Sequence, residues 1–154
     1  MFNKKISVIG LGYIGLPTAA MFASKDQLVV GVDVNDRIVN LINNGDIHIV
    51  EPGLAELVKQ AVDRGNLRAV DKPEFAEVFL IAVPTPFKVV GDNAHKPDLS
   101  HVKAAARQIA PFLKKGNLVI LESSSPVGTT LEVANLLAEV RPDLSFPHVA
   151  GDSA

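Results

Sequence analysis

Three glycines within six residues constrain this chain more than any other feature of its sequence. Gly10, Gly12 and Gly15 directly follow the apolar run at residues 6–9 and open a second apolar stretch. Glycine at the first position allows a tight turn, at the second leaves room for a phosphate beside the backbone, and at the third lets a helix pack closely on a strand. Because a helix N-terminus offers free amides and a positive dipole end, the segment predicts a phosphate-binding strand, turn and helix.

Short β-branched runs alternate with longer amphipathic stretches, which is typical of a parallel sheet with helices between its strands. Five runs predict strands, at residues 6–9, 28–32, 67–70, 78–82 and 118–121. The stretches between and after them predict helices at residues 14–24, 38–44, 54–64, 99–113 and 130–140. We therefore predict an α/β fold of the Rossmann type, a doubly wound parallel sheet with helices on both faces. Its strand order is 3-2-1-4-5, and the sixth strand of such a sheet is missing.

The connection between the fourth predicted strand and the next helix is rich in polar residues and proline. Residues 84–97 predict a long loop, in which Gly91, Asp92 and Asn93 form a turn. Asp98 is a candidate N-cap for the helix that follows.

An acid at the end of the second predicted strand indicates the kind of ligand. Asp33 follows Gly15 at nearly the separation of about 20 residues that is typical of the acid that binds an adenosine ribose. Since a carboxylate accepts hydrogen bonds from ribose hydroxyls and repels a 2′-phosphate, the site favours NAD over NADP. Arg37, one helical turn further, either stacks on the adenine or stays in solvent. Two alternatives to a dinucleotide site remain for the glycine turn and Asp33. They are a structural turn beside a surface aspartate and the glycine-rich turn of a methyltransferase.

Two further loops follow strands whose carboxyl ends lie at the same predicted edge of the sheet. In doubly wound folds, ligands bind at this edge. Prolines after the fourth strand fix an extended backbone, and a cluster of hydroxyls follows the fifth strand. The alternative is that both loops are ordinary proline turns and hydroxyl helix caps. The candidate cofactor contacts in these loops are Val83, Pro84, Thr85, Ser123 and Thr130.

Composition and length exclude several other classes of function. The 154 residues are enough for one domain, and the 15 basic and 17 acidic side chains give a net charge of −2 without a basic block, so we expect no nucleic-acid partner. Cysteine is absent, which excludes disulfides, thiolate metal sites and a cysteine nucleophile from these residues. The histidines, which we expect to be solvated or capping, lack the spacing of metal ligands. They are His48, His95, His101 and His148.

The N-terminus superficially resembles a signal peptide or a membrane anchor. Lys4 and Lys5 precede an apolar stretch, but the three glycines and Pro17 interrupt it. We therefore expect a cytoplasmic protein that does not enter the membrane.

Four segments of the sequence, in this order, resemble the UDP-glucose/GDP-mannose dehydrogenase family. They are residues 9–17 (Ile-Gly-Leu-Gly-Tyr-Ile-Gly-Leu-Pro), 51–54 (Glu-Pro-Gly-Leu), 83–86 (Val-Pro-Thr-Pro) and 122–130 (Glu-Ser-Ser-Ser-Pro-Val-Gly-Thr-Thr). The resemblance implies a homodimeric enzyme that oxidises the C6 alcohol of a nucleotide sugar to a carboxylate with two NAD in succession. It also implies that Ser124 matches a family threonine whose hydroxyl helps position the catalytic water. The cofactor contacts that it implies are Tyr13, Ile14, Asp33, Thr85 and Thr130.

The same resemblance implies catalytic groups that these residues do not contain. The family's nucleophilic cysteine, its catalytic lysine, asparagine and aspartate, its central dimerisation helix and its nucleotide-sugar domain lie beyond residue 154. We therefore expect residues 1–154 to be the NAD-binding domain of such an enzyme, cut before the sixth strand and inactive alone.

Two other interpretations share the glycine turn and the acid. A stand-alone NAD-sensing regulatory module would not need the loops at residues 83–86 and 123–130. The N-terminal domain of a β-hydroxyacid or 6-phosphogluconate dehydrogenase shares the glycine pattern, but the segment at residues 51–54 argues against it.

Overall fold

A five-stranded parallel sheet forms the centre of the molecule in the computed structural model, which describes residues 4–90 and 94–146. In chain order the elements are β1 (Lys5–Ile9), α1 (Gly15–Ser24), β2 (Leu28–Val32), α2 (Asp36–Asn43), α3 (Leu54–Asp63), β3 (Leu67–Val70), β4 (Val78–Ile81), β5 (Phe87–Val90), β6 (Ala94–Pro97), α4 (Ser100–Ile109), a 3₁₀ turn (Ala110–Phe112), β7 (Leu118–Leu121) and α5 (Thr129–Val140). The sheet order β3-β2-β1-β4-β7 confirms the predicted order of five strands.

Helices cover both faces of the sheet, so the central strands are buried on each side and consist of continuous apolar runs. On one face α1 packs on β1 and β2, and α3 packs on α1 and β3, with Val8, Leu16 and Val58 completely buried. On the other face α4 packs on β4 and α5 packs on α4, with Phe79 and Ile109 completely buried. The predicted doubly wound architecture is therefore confirmed. None of the described helices is long and apolar enough to cross a membrane.

The structure differs from the sequence prediction in the segment after β4. β5 and β6 pair as an antiparallel hairpin, so the prediction of a loop throughout residues 84–97 is wrong. Phe87, Val89 and Val90 are residue types that favour strands. Among the described strands, β5 and β6 pair with each other and not with the main sheet. The amide of Asp98 donates to the carbonyl of Pro86 at 2.7 Å and closes the base of the hairpin. The predicted turn residues Gly91, Asp92 and Asn93 lie outside the described residues.

The start of α4 also differs slightly from the prediction. The N-cap position is Leu99, not Asp98, which corrects the predicted cap by one residue. The Asp98 carboxylate nevertheless accepts a hydrogen bond from the Ser100 amide at 3.0 Å, and Lys88 of the hairpin lies 2.7 Å from its other oxygen. The hydrogen bonds from Lys88 and from Ser100 lower the pKa of Asp98 to about 2. Asp98 therefore stays charged at neutral pH and joins the hairpin to α4.

β7 lies at the edge of the sheet and, within residues 4–90 and 94–146, pairs only with β4. Its four residues carry no charge, and Leu118 and Ile120 are 54% and 37% exposed. Natural sheet edges are usually protected by charge, proline or a covering element. Residues 143–146 lie near this edge and line a second cavity of about 490 Å³ together with β7 and α5.

We expect this chain to self-associate along β7. Ile120→Lys should keep it monomeric, because a charge on a strand edge opposes pairing with a second strand. Val127→Lys is the matched control, since it adds the same charge to a fully exposed loop side chain outside β7. Light scattering over a range of concentrations measures the effect. A strict monomer at every concentration, with or without the substitution, would contradict the prediction.

Candidate functional site

A cavity of about 630 Å³ lies at the carboxyl ends of β1, β2, β4 and β7. Its walls come from the glycine turn, the end of β2, the loops after β4 and β7, and one face of α4. This is the edge at which doubly wound sheets bind their ligands.

The three glycines of the turn have different surroundings. Gly10 has a φ of +94°, and a Cβ there would lie 2.8 Å from the Ala82 carbonyl oxygen. A Cβ at Gly15 would lie 1.9 Å from the Gly10 carbonyl oxygen, whereas a Cβ at Gly12 would meet nothing within 4 Å. Gly10 and Gly15 therefore allow the turn to pack, and Gly12 leaves an open approach to the backbone from the cavity.

The N-terminus of α1 borders the same cavity. Its N-cap residue, Ile14, makes no side-chain cap hydrogen bond, and no acidic residue lies in the first turn. The first amides of a helix have no acceptor within the helix, so a phosphate can satisfy them here. Tyr13 and Ile14 line the cavity beside these amides and are 70% and 54% exposed.

Asp33 is fixed against the glycine turn by two backbone hydrogen bonds. Its carboxylate accepts from the Leu11 amide at 3.0 Å and from the Asn35 amide at 2.9 Å, one on each oxygen. Each carboxylate oxygen can accept a second hydrogen bond, so both remain available to ribose hydroxyls. The Leu11 side chain is fully buried over Gly31 of β2, where a Cβ would lie 2.7 Å from its Cδ2 atom. Packing and hydrogen bonding together set the position of the acid relative to the turn.

Side-chain hydroxyls join the loop after β4 to the loop after β7. The Ser123 hydroxyl donates to the carbonyl of Val83 at 2.7 Å and lies 3.2 Å from that of Ile81, while the Thr85 hydroxyl donates to the carbonyl of Ser124 at 2.5 Å. The sequence predicts these hydroxyls as cofactor contacts, but here their protons are used between the loops. Their oxygens can still accept hydrogen bonds. Four of the five cofactor contacts predicted in the two loops, Val83, Pro84, Thr85 and Ser123, lie in the cavity wall, and so does Ser124.

Besides Gly15, which lets the turn pack, two residues predicted for the cofactor site do not lie in the cavity wall. Arg37 is exposed in the first turn of α2, where its amide donates to the Asn35 side-chain oxygen at 3.0 Å. Thr130 lies in the first turn of α5 and lines the second cavity. Both remain predictions as NAD contacts.

One wall of the cavity was missed from the sequence. His101, Ala104, Ala105 and Gln108 of α4 line it, and the same cavity is lined by Val34 and Asn35 after β2 and by Ile38 of α2. Their spacing of i, i+3, i+4 and i+7 defines one helical face and is the signal that identifies them. His101 is solvent-exposed, as predicted, but it also contributes to this wall.

An extended dinucleotide fits the order of these parts. Asp33 lies at β2, the glycine turn follows β1, and the hydroxyl-linked loops follow β4 and β7, which are successive strands of the sheet. This order accommodates an adenosine ribose, a pyrophosphate and a nicotinamide in succession. In the part of the chain that the structure describes, no group of three or more His, Cys, Asp or Glu could hold a metal ion.

Comparison with known proteins agrees with this geometry. Residues 4–149 match the NAD binding domain of the UDP-glucose/GDP-mannose dehydrogenase family. The chain is 64% identical over its whole length to a UDP-N-acetyl-D-mannosamine dehydrogenase of Yersinia pestis, covering 36% of that protein. It is 62% identical over 97% of its length to the protein of the same name from Escherichia coli (strain K12), covering 34% of it. The chain thus spans about a third of the length of these relatives.

A solved structure has the same fold. UDP-D-ManNAc dehydrogenase from Pyrococcus horikoshii superimposes with a TM-score of 0.84 at 41% identity, over 93% of this chain and 34% of that one. The chain therefore belongs to the UDP-glucose/GDP-mannose dehydrogenase family, and it matches the NAD-binding domain of that family.

Proposed function

We propose that this chain is the NAD-binding domain of a cytoplasmic, homodimeric UDP-N-acetyl-D-mannosamine 6-dehydrogenase that acts in cell-surface polysaccharide biosynthesis. The whole enzyme oxidises the C6 alcohol of UDP-N-acetyl-D-mannosamine to the carboxylate of UDP-N-acetyl-D-mannosaminuronate and reduces two NAD in succession. The 64% identity to a relative of that name supports this sugar. Two segments quoted from the sequence, residues 47–52 (Ile-His-Ile-Val-Glu-Pro) and 85–88 (Thr-Pro-Phe-Lys), support it too.

The observation that carries the proposal is the convergence of three elements on one cavity. Asp33, the glycine turn and the two hydroxyl-linked loops all line it. Asp33 accepts hydrogen bonds from the adenosine ribose, and the α1 amides beside Gly12 bind the pyrophosphate. NAD, when bound, supplies the hydride acceptor. A regulatory module that only senses NAD would need the acid and the turn but not the two loops.

Ser124 is our candidate for positioning the water that attacks after oxidation. It lines the cavity, and the hydrogen bond from Thr85 to its carbonyl fixes its backbone. Serine lacks the methyl group that restricts the rotamer of a threonine, so this hydroxyl has more freedom than the family residue that it matches.

We expect the chain alone to bind NAD and to form no NADH with UDP-N-acetyl-D-mannosamine. The resemblance places the nucleotide-sugar domain beyond residue 154, so these residues lack the site that would present the alcohol to NAD. Covalent capture of the aldehyde also needs a thiolate, and the 154 residues contain no cysteine. Calorimetry with NAD and NADP measures binding, and absorbance of NADH measures turnover, with the full-length relative from Yersinia pestis as the positive control. Steady NADH formation would contradict the inactivity, and equal or tighter binding of NADP would contradict the role of Asp33.

The reading frame past Ala154 separates the dehydrogenase from the sensing module. A continuation that contains a cysteine in a glycine-rich segment would support the dehydrogenase, and a stop codon at that point would favour the module.

A further inference from the structure

Glu122, which directly follows β7, carries a buried carboxylate that is only half satisfied. Its Oε1 atom accepts a hydrogen bond from the Thr18 hydroxyl at 2.7 Å. Its Oε2 atom is buried and has no hydrogen-bond partner among the described residues. None of the salt bridges found within residues 4–90 and 94–146 includes Glu122. Because an uncompensated buried carboxylate destabilises a fold, its presence calls for an explanation beyond packing.

The carboxylate lies near one particular end of the cavity. The Glu122 amide donates to the Ile81 carbonyl at 2.9 Å, and the next two residues, Ser123 and Ser124, line the cavity. Thr18, its partner, lies one helical turn after Ile14, which also lines the cavity. Asp33 marks the opposite, adenosine end, because β2 and β7 are separated by β1 and β4. Glu122 therefore lies beside the end that receives the nicotinamide.

We propose that the Glu122 carboxylate makes this site bind NAD⁺ in preference to NADH, an inference that rests on the function proposed above. The pyridinium ring of NAD⁺ carries a positive charge. Addition of a hydride, one proton with two electrons, neutralises that ring in NADH. A fixed negative charge beside the ring therefore attracts the oxidised form alone. The expected preference is about tenfold, which corresponds to a difference in attraction of about 1.4 kcal/mol between the two forms.

This preference serves a reaction that uses two NAD in succession. After the first hydride transfer, NADH has to leave and a second NAD⁺ has to enter before oxidation continues. A carboxylate that makes NADH bind less tightly than NAD⁺ favours this exchange at the cofactor site.

Calorimetric titration of the chain with NAD⁺ and with NADH tests the proposal. Glu122→Gln keeps the shape of the side chain and an acceptor for Thr18 but removes the charge. We expect it to lower the ratio of the NADH to the NAD⁺ dissociation constant about tenfold. Thr18→Ser changes the neighbouring side chain but keeps the hydroxyl that donates to Glu122, and Glu139→Gln removes an exposed charge of α5. Both controls should leave the ratio within about twofold of the unsubstituted chain.

The outcomes separate this inference from the proposed function. If the unsubstituted chain binds neither NAD⁺ nor NADH, the proposed function fails. If it binds both, and Glu122→Gln changes both affinities equally, the role of Glu122 is only structural and the inference is overturned. Should Glu122→Gln fail to fold by circular dichroism, Glu122→Leu removes the charge without burying an unpaired amide. An unchanged ratio in Glu122→Leu overturns the inference in the same way.

Discussion

Asp33→Ala is expected to weaken NAD binding about 10- to 150-fold, because loss of a hydrogen bond to a charged group costs about 1.5–3 kcal/mol. Asp33 lines the cavity, and each of its carboxylate oxygens holds a backbone amide in place and can accept one more hydrogen bond. Asp33→Asn removes the charge and keeps one of the two oxygens that accept from the backbone amides, so it disturbs the turn less than Asp33→Ala does. We expect Asp33→Asn to bind NADP better relative to NAD than the unsubstituted chain does.

Calorimetry with both cofactors measures these changes. Asp36→Ala is the matched control, because it removes an exposed carboxylate from the neighbouring turn of α2 that does not line the cavity. An unchanged NAD affinity in Asp33→Ala would remove Asp33 from the site.

Gly15→Ala is expected to abolish NAD binding, with an affinity loss of more than about 100-fold, and to reduce the free energy of unfolding by about 3 kcal/mol. The added Cβ would lie 1.9 Å from the Gly10 carbonyl oxygen and 3.1 Å from the Ala82 Cβ. Because the first of these atoms belongs to the backbone of the turn, the turn itself has to move.

Gly12→Ala provides the contrast for this prediction. A Cβ at Gly12 meets no atom within 4 Å, so the substitution should leave the fold as stable as before. It should still weaken NAD binding, because the methyl group occupies space that a pyrophosphate needs. Thermal unfolding and calorimetry on both variants test the pair. Equal losses of stability in the two variants would contradict the different roles assigned to these glycines.

The main sheet was predictable from sequence because strands buried on both faces form continuous apolar runs, as in β2 and β4. The glycine turn was predictable because its steric requirements are local. β5 and β6 were not, since these short strands lie in a segment bounded by prolines, and contacts such as Lys88 with Asp98 support them.

The site was only partly predictable for a related reason. The sequence identified the loops that line the cavity, but not that the hydroxyls of Thr85 and Ser123 donate across to the other loop, 39 and 40 residues away in the chain. The α4 wall was also missed, because the sequence shows which residues share a helical face but not which cavity that face borders. Both features depend on tertiary packing.

The contact of Leu11 with Gly31 has a consequence for redesign of cofactor preference. Leu11 fills the space that a side chain on β2 would occupy, and its amide is held by Asp33. A change of Asp33 to a residue without an acceptor therefore releases the turn as well as the ribose. An NADP-dependent variant has to combine an uncharged acceptor at position 33 with an unchanged Leu11–Gly31 pair. A substitution that only removes the charge of Asp33 would weaken the binding of NAD without creating a site for NADP.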